Sequence, residues 1–272
     1  MKIATVASDT VWKDLHKNIE LTHHHVAKVK QLYPNVEVIL FPEISLAGFI
    51  VDPSNADVAE PLSGATIQSI QDIAKDFGVA LICGFVEKNP GGKPFNTQFV
   101  ISKEGKLIAY YRKNHLFTQS AEPDVYSAGS ELATFELEGW KCGLSTCFDI
   151  RFPRLFEAYK KAGVEVMFSG FNWVEGRNKP EIMESLVKTR AHENQYFMVA
   201  VDRSGSDPNT SFYGKSVIAN PFAEDVAEHN DIYSYAELNK EDIANIGKLL
   251  PLAGSFKSEY KMKSIDVKPE GA

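Results

Sequence analysis

The chain has 272 residues, of which 44% are hydrophobic and 24% charged, a composition that is ordinary for a globular enzyme. Its formal net charge of −7 and its lack of a polybasic tract argue against nucleic acid as a partner, because phosphate binding needs a basic face. No apolar run approaches the roughly 20 residues that span a bilayer, and the N-terminus lacks a signal-peptide pattern. Three cysteines without paired spacing favour reduced thiols, so we predict a cytoplasmic protein with no membrane partner.

Strands and helices alternate along the N-terminal half of the chain. Apolar residues at a spacing of three and four predict helices, and short β-branched runs predict buried strands. The Glu104-Gly105 pair supplies the turn of a hairpin. In chain order, we predict a strand over Lys2–Ala7, a helix over Trp12–Lys30, a strand over Val36–Glu43, a helix over Thr66–Phe77 closed by Gly78, a strand over Val79–Glu87, and the hairpin strands Thr97–Ser102 and Leu107–Tyr111.

The C-terminal half repeats this alternation. The predicted elements are strands over Thr134–Cys147, a helix from about Pro153, a strand over Val164–Trp173, a helix over Pro180–Asn194, strands over Tyr196–Ser204 and within Phe212–Leu238, and a helix over Asp242–Leu250. Strands alternating with helices and interrupted by hairpins predict an α/β layered fold with mixed sheets. Because we find no flexible linker and no repeat, we predict a single domain over residues 1–272. The polar tail from about residue 255 is predicted to pack on a neighbour or to fray.

Cys147 is a candidate nucleophile because of its place in the chain. It ends the strand segment KCGLSTC and precedes FDIRFPRLFEAY, where a strand gives way to a helix. A thiol at that junction lies near helix amide groups, whose partial positive charge favours the thiolate. A buried packing cysteine is the alternative interpretation, and it is the better one for Cys83 and Cys142, which sit among apolar neighbours.

Two charged residues also occupy strand ends. Glu43 closes the apolar run VEVILFPE, and burial there would raise its pKa toward that of a general base. A carboxylate that only bonds loop amides is the alternative. Lys113 follows the aromatic strand IAYYR and precedes NHLF, where a fixed ammonium would stabilise an oxyanion. A solvated strand end is the simpler interpretation of a lone lysine.

Together these motifs resemble the nitrilase superfamily of carbon–nitrogen hydrolases. FPEISLAGF, YYRKNHLF and CGLSTCFDIRFP occur in the superfamily's order, and the resemblance extends from KIATVA to GKSVIANPFAE. It includes RAHENQYF, similar to the family's helix-to-strand junction. The resemblance implies a four-layer α-β-β-α sandwich with two mixed β-sheets. It also implies a homodimer, to which the helix after Cys147 and the C-terminal tail contribute contacts.

The resemblance implies a role for each matched residue. Glu43 is the general base, Cys147 the nucleophile and Lys113 the oxyanion-stabilising lysine. Glu122, in the segment AEPDVYSAG, is the candidate supporting glutamate that orients Lys113 or relays a proton. An exposed loop acid is the alternative interpretation of Glu122. The oxyanion would also accept a hydrogen bond from the backbone amide of Phe148.

Four residues are candidates for substrate binding. Phe148 stands where many relatives carry tyrosine, and Asn172 and Trp173 belong to the segment SGFNW, which resembles the family's pocket segment. Arg151 is a candidate partner for a substrate carboxylate, although an arginine that pairs with a nearby acid looks the same in sequence. Ala223 replaces a turn glycine that is common in the family, a departure that concerns a hairpin and not the chemistry.

The implied reaction is cysteine-dependent hydrolysis of a small amide. CFDIRFP and HLFTQSAEPDVYSAG look most like the ω-amidase branch, which releases ammonia from monoamides of dicarboxylic acids such as α-ketoglutaramate. A nitrilase or an N-carbamoyl hydrolase would use the same residues, and a non-catalytic metabolite-binding or assembly module is the alternative from another class.

No cofactor and no metal are predicted. The chain has no dinucleotide fingerprint, P-loop or zinc signature. His23, His24 and His25 look like a metal cluster, but consecutive helical residues point about 100° apart and cannot share one ion. A solvated helix face is the better interpretation of these histidines.

Overall fold

The computed structural model describes residues 1–252 and Lys261 of the chain. Its strands are β1 (Lys2–Val6), β2 (Val38–Leu40), β3 (Ala80–Glu87), β4 (Phe95–Ile101), β5 (Leu107–Arg112), β6 (Thr134–Leu137), β7 (Trp140–Thr146), β8 (Val166–Phe171), β9 (Phe197–Asp202), β10 (Ser206–Asp207), β11 (Thr210–Ser211), β12 (Ser216–Ala219), β13 (Glu228–Asn230) and β14 (Tyr233–Glu237). Its α-helices are α1 (Leu15–Leu32), α2 (Ala65–Phe77), α3 (Glu122–Val125), α4 (Pro153–Lys161), α5 (Lys179–Asn194) and α6 (Lys240–Leu249). Two short 3-10 helices cover Pro53–Val58 and Cys147–Arg151.

The strands form two large mixed sheets built on the same plan. The first has seven strands in the order β13-β14-β1-β2-β3-β4-β5, and the second has five in the order β12-β9-β8-β7-β6. In the first sheet β1, β2 and β3 are parallel, with antiparallel strands on both sides. In the second sheet β7, β8 and β9 are parallel, again with antiparallel neighbours. Each sheet therefore has a parallel centre whose strands end at one edge.

Three apolar cores stack these elements into four layers. The first core joins the inner faces of the two sheets, with Leu40 and Ile82 from one sheet and Leu144 and Phe168 from the other. The second core joins the seven-stranded sheet to α1 and α2. The third joins the five-stranded sheet to α4 and α5. The predicted α-β-β-α sandwich with two mixed sheets is confirmed.

Element boundaries differ from the prediction mainly at two places. Helix α1 begins at Leu15 and not at Trp12, because the side chain of Asp14 accepts the backbone N–H of Lys17 at 2.9 Å and so caps the helix. Strand β2 ends at Leu40 and not at Glu43, because Pro42 has no N–H to donate to a sheet and the chain turns from residue 43 to residue 47. The other predicted helices and strands are present with ends shifted by a few residues.

The predicted tail contact from about residue 255 lies outside the described residues, apart from Lys261. The single domain stays a prediction. Within the part of the chain that the structure describes, no helix is long and apolar enough to cross a membrane. The triple histidine lies on α1: His23 and His24 are exposed, while Nδ1 of His25 is 3.0 Å from the hydroxyl of Tyr233.

The hairpin that follows β12 contains a strained alanine. Ala223 has φ +64°, in the left-handed region that favours glycine, while its N–H donates to the carbonyl of Asn220 at 3.0 Å. We expect Ala223→Gly to raise the free energy of unfolding by about 0.5–1 kcal/mol, since relief of strain exceeds the entropy that glycine adds to the unfolded chain. Urea unfolding measures the change. Ala219→Gly, inside β12, is the control and should destabilise the protein; stabilisation confined to Ala219→Gly would contradict the prediction.

Candidate active site

The carboxyl ends of the two parallel centres meet at one edge of the sandwich. Glu43 lies in the turn after β2, Cys147 directly follows β7, and Asn172 directly follows β8. The backbone N–H of Asn172 donates to Oε2 of Glu43 at 2.8 Å, although the two residues are 129 positions apart. Ligand sites in open α/β sheets lie at this end of the strands. The two sheets thus bring the predicted base and the predicted nucleophile to one place.

Two glycines let the turn that carries Glu43 lie between the sheets. A Cβ on Gly84 of β3 would lie 2.3 Å from the backbone nitrogen of Ile44, and a Cβ on Gly170 of β8 would lie 2.6 Å from that of Glu43. No side chain fits at either position without moving this turn. The close approach of backbone on both sides therefore holds Glu43 in place.

Lys113, Glu43 and Glu122 form a buried charge cluster. The ammonium of Lys113 is 2.8 Å from Oε1 of Glu43 and 3.0 and 2.9 Å from the two carboxylate oxygens of Glu122. All three side chains are fully buried. The interpretations of Lys113 as a solvated strand end and of Glu122 as an exposed loop acid are therefore wrong. Glu122 also accepts the backbone N–H of Phe117 at 2.6 Å.

Asn96 connects the two glutamates and was missed by the sequence analysis. Its side-chain amide donates to Oε1 of Glu43 at 2.7 Å and to Oε1 of Glu122 at 2.9 Å. Asn96 lies on β4, and its backbone carbonyl accepts the N–H of Lys113 at 2.9 Å. Asn96 is followed in β4 by the polar residues Thr97 and Gln98, so nothing in the sequence distinguished it as a site residue.

Burial and charge act in opposite directions on this cluster. Burial raises the pKa of Glu43, as predicted, while the charge of Lys113 partly opposes the rise. Burial alone would lower the pKa of Lys113, but the negative charges of Glu122 and Glu43 outweigh it and hold the pKa well above its usual value. The raised pKa favours the charged form of Lys113, and the raised pKa of Glu43 suits a carboxyl group that takes up a proton.

Cys147 has an uncommon backbone conformation and a protonated thiol. Its φ is +44°, rare for a residue with a side chain, and it begins the 3-10 helix Cys147–Arg151. Burial and then the negative charge of Glu43 raise the pKa of the thiol well above its usual value, while Lys113 and the N–H of Asn172 act the other way. The expectation that helix amides favour a resting thiolate is wrong, because a single 3-10 turn does not offset burial.

Asp149 connects the 3-10 helix that begins at Cys147 (the cysteine turn) with the loop that follows β5 and contains Lys113 (the lysine loop). It was not among the residues predicted from the sequence. Its carboxylate accepts the hydroxyl of Tyr111 at 2.7 Å and the backbone N–H of Thr146 and His115, each at 3.0 Å. The ring Nδ1 of His115 is 2.7 Å from the same carboxylate. This network joins β5, which leads to Lys113, with the end of β7, which leads to Cys147. It sets the distance between the lysine loop and the cysteine turn.

A small cavity opens directly above Cys147. It is narrow, with about 20 Å³ open to the centre of a water-sized sphere. The residues that line it include all four predicted substrate-binding residues, and the full set is Phe49, Lys113, Phe117, Cys147, Phe148, Arg151, Asn172, Trp173, Val174 and Lys179. Glu43 and Glu122 lie behind the wall, in contact with Lys113.

Arg151 reaches the mouth of this cavity. Its guanidinium lies 4.7 Å from the ring centre of Trp173 and 6.0 Å from that of Phe148. Among residues 1–252, Arg151 forms no ion pair with an acid. The alternative interpretation, in which Arg151 pairs with a nearby acid, therefore has no support among residues 1–252. The described residues also contain no group of three or more His, Cys, Asp or Glu side chains that could hold a metal ion.

The fold and the site define a carbon–nitrogen hydrolase. The family model described as carbon-nitrogen hydrolase matches residues 2–247, and the chain belongs to this family. The chain is 32% identical over 228 residues to the 2-oxoglutaramate amidase of Bacillus subtilis, covering 83% of this chain and 86% of that protein. It is 29% identical over 216 residues to omega-amidase NIT2 of Homo sapiens, covering 75% of this chain and 77% of that one. The protein is thus an enzyme of the nitrilase superfamily that acts on non-peptide amides.

Solved structures show the same fold. Nit3 of Saccharomyces cerevisiae, described as a member of branch 10 of the nitrilase superfamily, matches with a TM-score of 0.84 at 25% identity, over 93% of this chain and 95% of that one. A CN-hydrolase superfamily protein of Xanthomonas campestris, which carries an arsenic adduct in its active site, also has a TM-score of 0.84 at 25% identity, over 96% of this chain and 99% of that one.

Proposed function

We propose that this enzyme hydrolyses the ω-amide of a small dicarboxylic acid monoamide, such as α-ketoglutaramate, through a cysteine thioester and with release of ammonia. One observation carries the proposal: a buried Glu43–Lys113–Glu122 cluster lies beside Cys147 at the closed end of a small cavity, and Arg151 stands at the open end. The closed end provides acyl-transfer chemistry. The open end provides a cation for the far carboxylate of the substrate.

In the first half-reaction, Glu43 takes the thiol proton as the sulfur of Cys147 attacks the amide carbonyl carbon. This base is required because the raised pKa of Cys147 keeps the thiol protonated at neutral pH. The oxyanion accepts hydrogen bonds from Lys113 and from the backbone N–H of Phe148, whose place in the first turn of a 3-10 helix leaves it without an intrahelical acceptor. The C–N bond then breaks, Glu43 returns the proton to nitrogen, and ammonia leaves.

In the second half-reaction, Glu43 takes a proton from water as the water oxygen attacks the thioester carbon. The C–S bond breaks, the sulfur regains a proton from Glu43, and the carboxylic acid product is released. Glu122 is a positioning residue in this scheme: its two short contacts hold the Lys113 ammonium on the cavity side of Glu43. Asn96 donates a hydrogen bond to each of the two carboxylates and so fixes their positions relative to each other.

The proposed substrate follows from the size and charge of the cavity. The narrow cavity suits a short, unbranched acyl chain, and the aromatic rings of Phe49, Phe117 and Trp173 line it. The names of the Bacillus subtilis and human relatives support an ω-amide. A nitrile would meet the same nucleophile and base, so nitrilase activity is the second candidate.

An ammonia-release assay with a panel of substrates tests the proposal. The panel contains α-ketoglutaramate, glutaramate, neutral pentanamide and pentanenitrile, with Cys147→Ala as the control. We expect kcat/KM to be highest for the two carboxylated amides. A nitrile that reacts faster than any amide would favour the second candidate. Absence of turnover with every substrate, together with binding of a carboxylated amide, would favour the non-catalytic metabolite-binding alternative.

Replacement of Asn96 should shift the pH dependence of the reaction. The hydrogen bond from Asn96 lowers the pKa of Glu43, so Asn96→Leu should raise that pKa further. Glu43 must be ionised to act as a base, and the acidic limb of the kcat/KM profile should therefore move to higher pH, with roughly 10-fold lower kcat at neutral pH. Asn89→Leu, between β3 and β4 and outside the cavity lining, is the control, and an unmoved acidic limb in Asn96→Leu would contradict the role of Glu43 as the base.

The homodimer and the cytoplasmic location stay predictions. Light scattering at several protein concentrations measures the oligomeric state. A monomer at every concentration would remove the dimer from the proposal.

A further inference from the structure

We infer that Lys179 is a specificity-determining residue, which together with Arg151 binds the distal carboxylate of the substrate. The inference rests on the proposed function and deepens it. Sequence analysis placed only Arg151 at this subsite. Lys179 is the first residue of α5, remote in sequence from all three catalytic motifs, and the fold brings it to the cavity.

The backbone of Lys179 is tied to the cavity wall. The indole N–H of Trp173 donates to the carbonyl oxygen of Lys179 at 2.8 Å, and the backbone N–H of Lys179 donates to the carbonyl of Gly176 at 3.2 Å. The ammonium of Lys179 lies 5.2 Å from the ring centre of Trp173 and 6.0 Å from that of Phe117. Both rings line the same cavity, so the cation stands over its aromatic wall.

Lys179 and Arg151 share the aromatic surface of Trp173. The guanidinium of Arg151 is 4.7 Å from the same ring centre. Partial burial and then the positive charge of Arg151 lower the pKa of Lys179. Within residues 1–252 neither cation is in an ion pair, whereas Lys188, on the same helix, pairs with Glu184 at 2.7 Å. Two converging cations without an acid are stabilised by a bound anion.

The wall of the cavity also carries an unpartnered side-chain amide, that of Asn172. Asn172 is 4% exposed, and neither atom of its side-chain amide has a hydrogen-bond partner among the described residues. A buried amide without partners is costly unless a ligand supplies them. In the proposed binding mode, Cys147 and Lys113 meet the scissile amide at one end of the substrate, and the cation pair meets the carboxylate at the other end. The side-chain amide of Asn172 hydrogen-bonds to polar groups of the substrate's acyl chain. This order fits a monoamide of a dicarboxylic acid.

The test compares Lys179→Met with wild type on glutaramate and on pentanamide, which has the same chain length but no carboxylate. Lys188→Met is the matched control, since it removes the same charge from the same helix. We expect Lys179→Met to lower kcat/KM for glutaramate roughly 10- to 100-fold, chiefly through KM, as is typical for loss of a charged hydrogen-bonding partner. The value for pentanamide should change less than about 3-fold, because the uncharged amide has nothing to pair with Lys179.

Three further measurements separate a charge interaction from a structural role. Added salt should raise KM for glutaramate in wild type but much less in Lys179→Met, because screening acts on the carboxylate–ammonium attraction. Lys179→Arg should recover part of the lost kcat/KM. Arg151→Met combined with Lys179→Met should give less than the product of the two single effects, since both cations bind one carboxylate.

The outcomes distinguish the inference from the proposed function. If wild type prefers pentanamide to glutaramate, the ω-amide proposal fails whatever Lys179 does. If wild type prefers glutaramate but Lys179→Met reduces kcat/KM equally for both substrates, or for neither, Lys179 does not determine specificity and the inference is overturned.

Discussion

Replacing Cys147 with alanine is expected to lower kcat/KM for the best carboxylated amide by at least about 10⁴-fold, to the background of the assay. In the proposed mechanism the sulfur forms the covalent bond to the substrate, and no other described side chain lining the cavity is a comparable nucleophile. The variant should still bind the substrate, because the cation pair and the aromatic walls are unchanged. Ammonia release measures turnover, and isothermal titration measures binding.

Glu43→Gln should lose activity for a different reason. The thiol of Cys147 has a raised pKa and needs a base, so loss of that base should lower kcat about 10²- to 10⁴-fold. Intact-protein mass spectrometry after rapid quenching should show an acyl adduct in wild type and none in Cys147→Ala.

Cys83→Ala is the matched control, since Cys83 is buried in β3 among apolar residues and lines no part of the cavity. Its kcat/KM should match that of wild type. Full activity in Cys147→Ala, or loss of activity in Cys83→Ala without loss of folded protein, would exclude Cys147 as the nucleophile.

Lys113→Met is expected to be the most destabilising single change in the site. It leaves Glu43 and Glu122 fully buried without their shared cation, and removal of one partner from a buried ion pair typically costs 3–5 kcal/mol. We expect a loss of this size at neutral pH by urea unfolding, together with loss of activity. Lys103→Met is the matched control: the ion pair of Lys103 with Glu138 lies at the surface, and its loss should leave the unfolding midpoint unchanged within error.

The cost of Lys113→Met should depend on pH. Without the lysine, the pKa of a buried carboxyl in the folded variant rises further above its unfolded value, so its protonation sustains the fold at low pH and becomes costly as pH rises. The deficit relative to wild type should grow between pH 5 and pH 8, by up to about 1.4 kcal/mol per pH unit for each carboxyl that stays protonated. In wild type, Lys113 is charged across this range, because its pKa is raised. A deficit that shrinks with increasing pH would contradict the buried charge cluster.

The order of the elements and the candidate positions for chemistry could be predicted from the amino-acid sequence. Apolar periodicity reports which segments are strands and helices, and a polar residue at the end of a buried run is visible without a structure. Their strand-end positions made Glu43, Lys113 and Cys147 candidates, and the resemblance of their ordered motifs to the nitrilase superfamily implied their roles. The predicted strand β2 was too long, because the hydrophobic segment continues up to Pro42 although the strand ends at Leu40.

The contacts and charges by which these residues affect one another depend on the tertiary structure. Lys113 meets Glu43 across 70 positions, and Asn172 meets Glu43 across 129, through the stacking of two sheets that no local pattern encodes. The sequence did not predict Asn96, Asp149 and Lys179 as site residues, because the residues that they contact in the site are distant along the chain. The protonated thiol of Cys147 likewise depends on burial and on the charge of Glu43, properties of the assembled site and not of the cysteine motif. Local sequence determines the apolar periodicity and the ends of the strands. The packing of the two sheets determines the distances, the burial and the electrostatic field at Cys147, and therefore its need for a base.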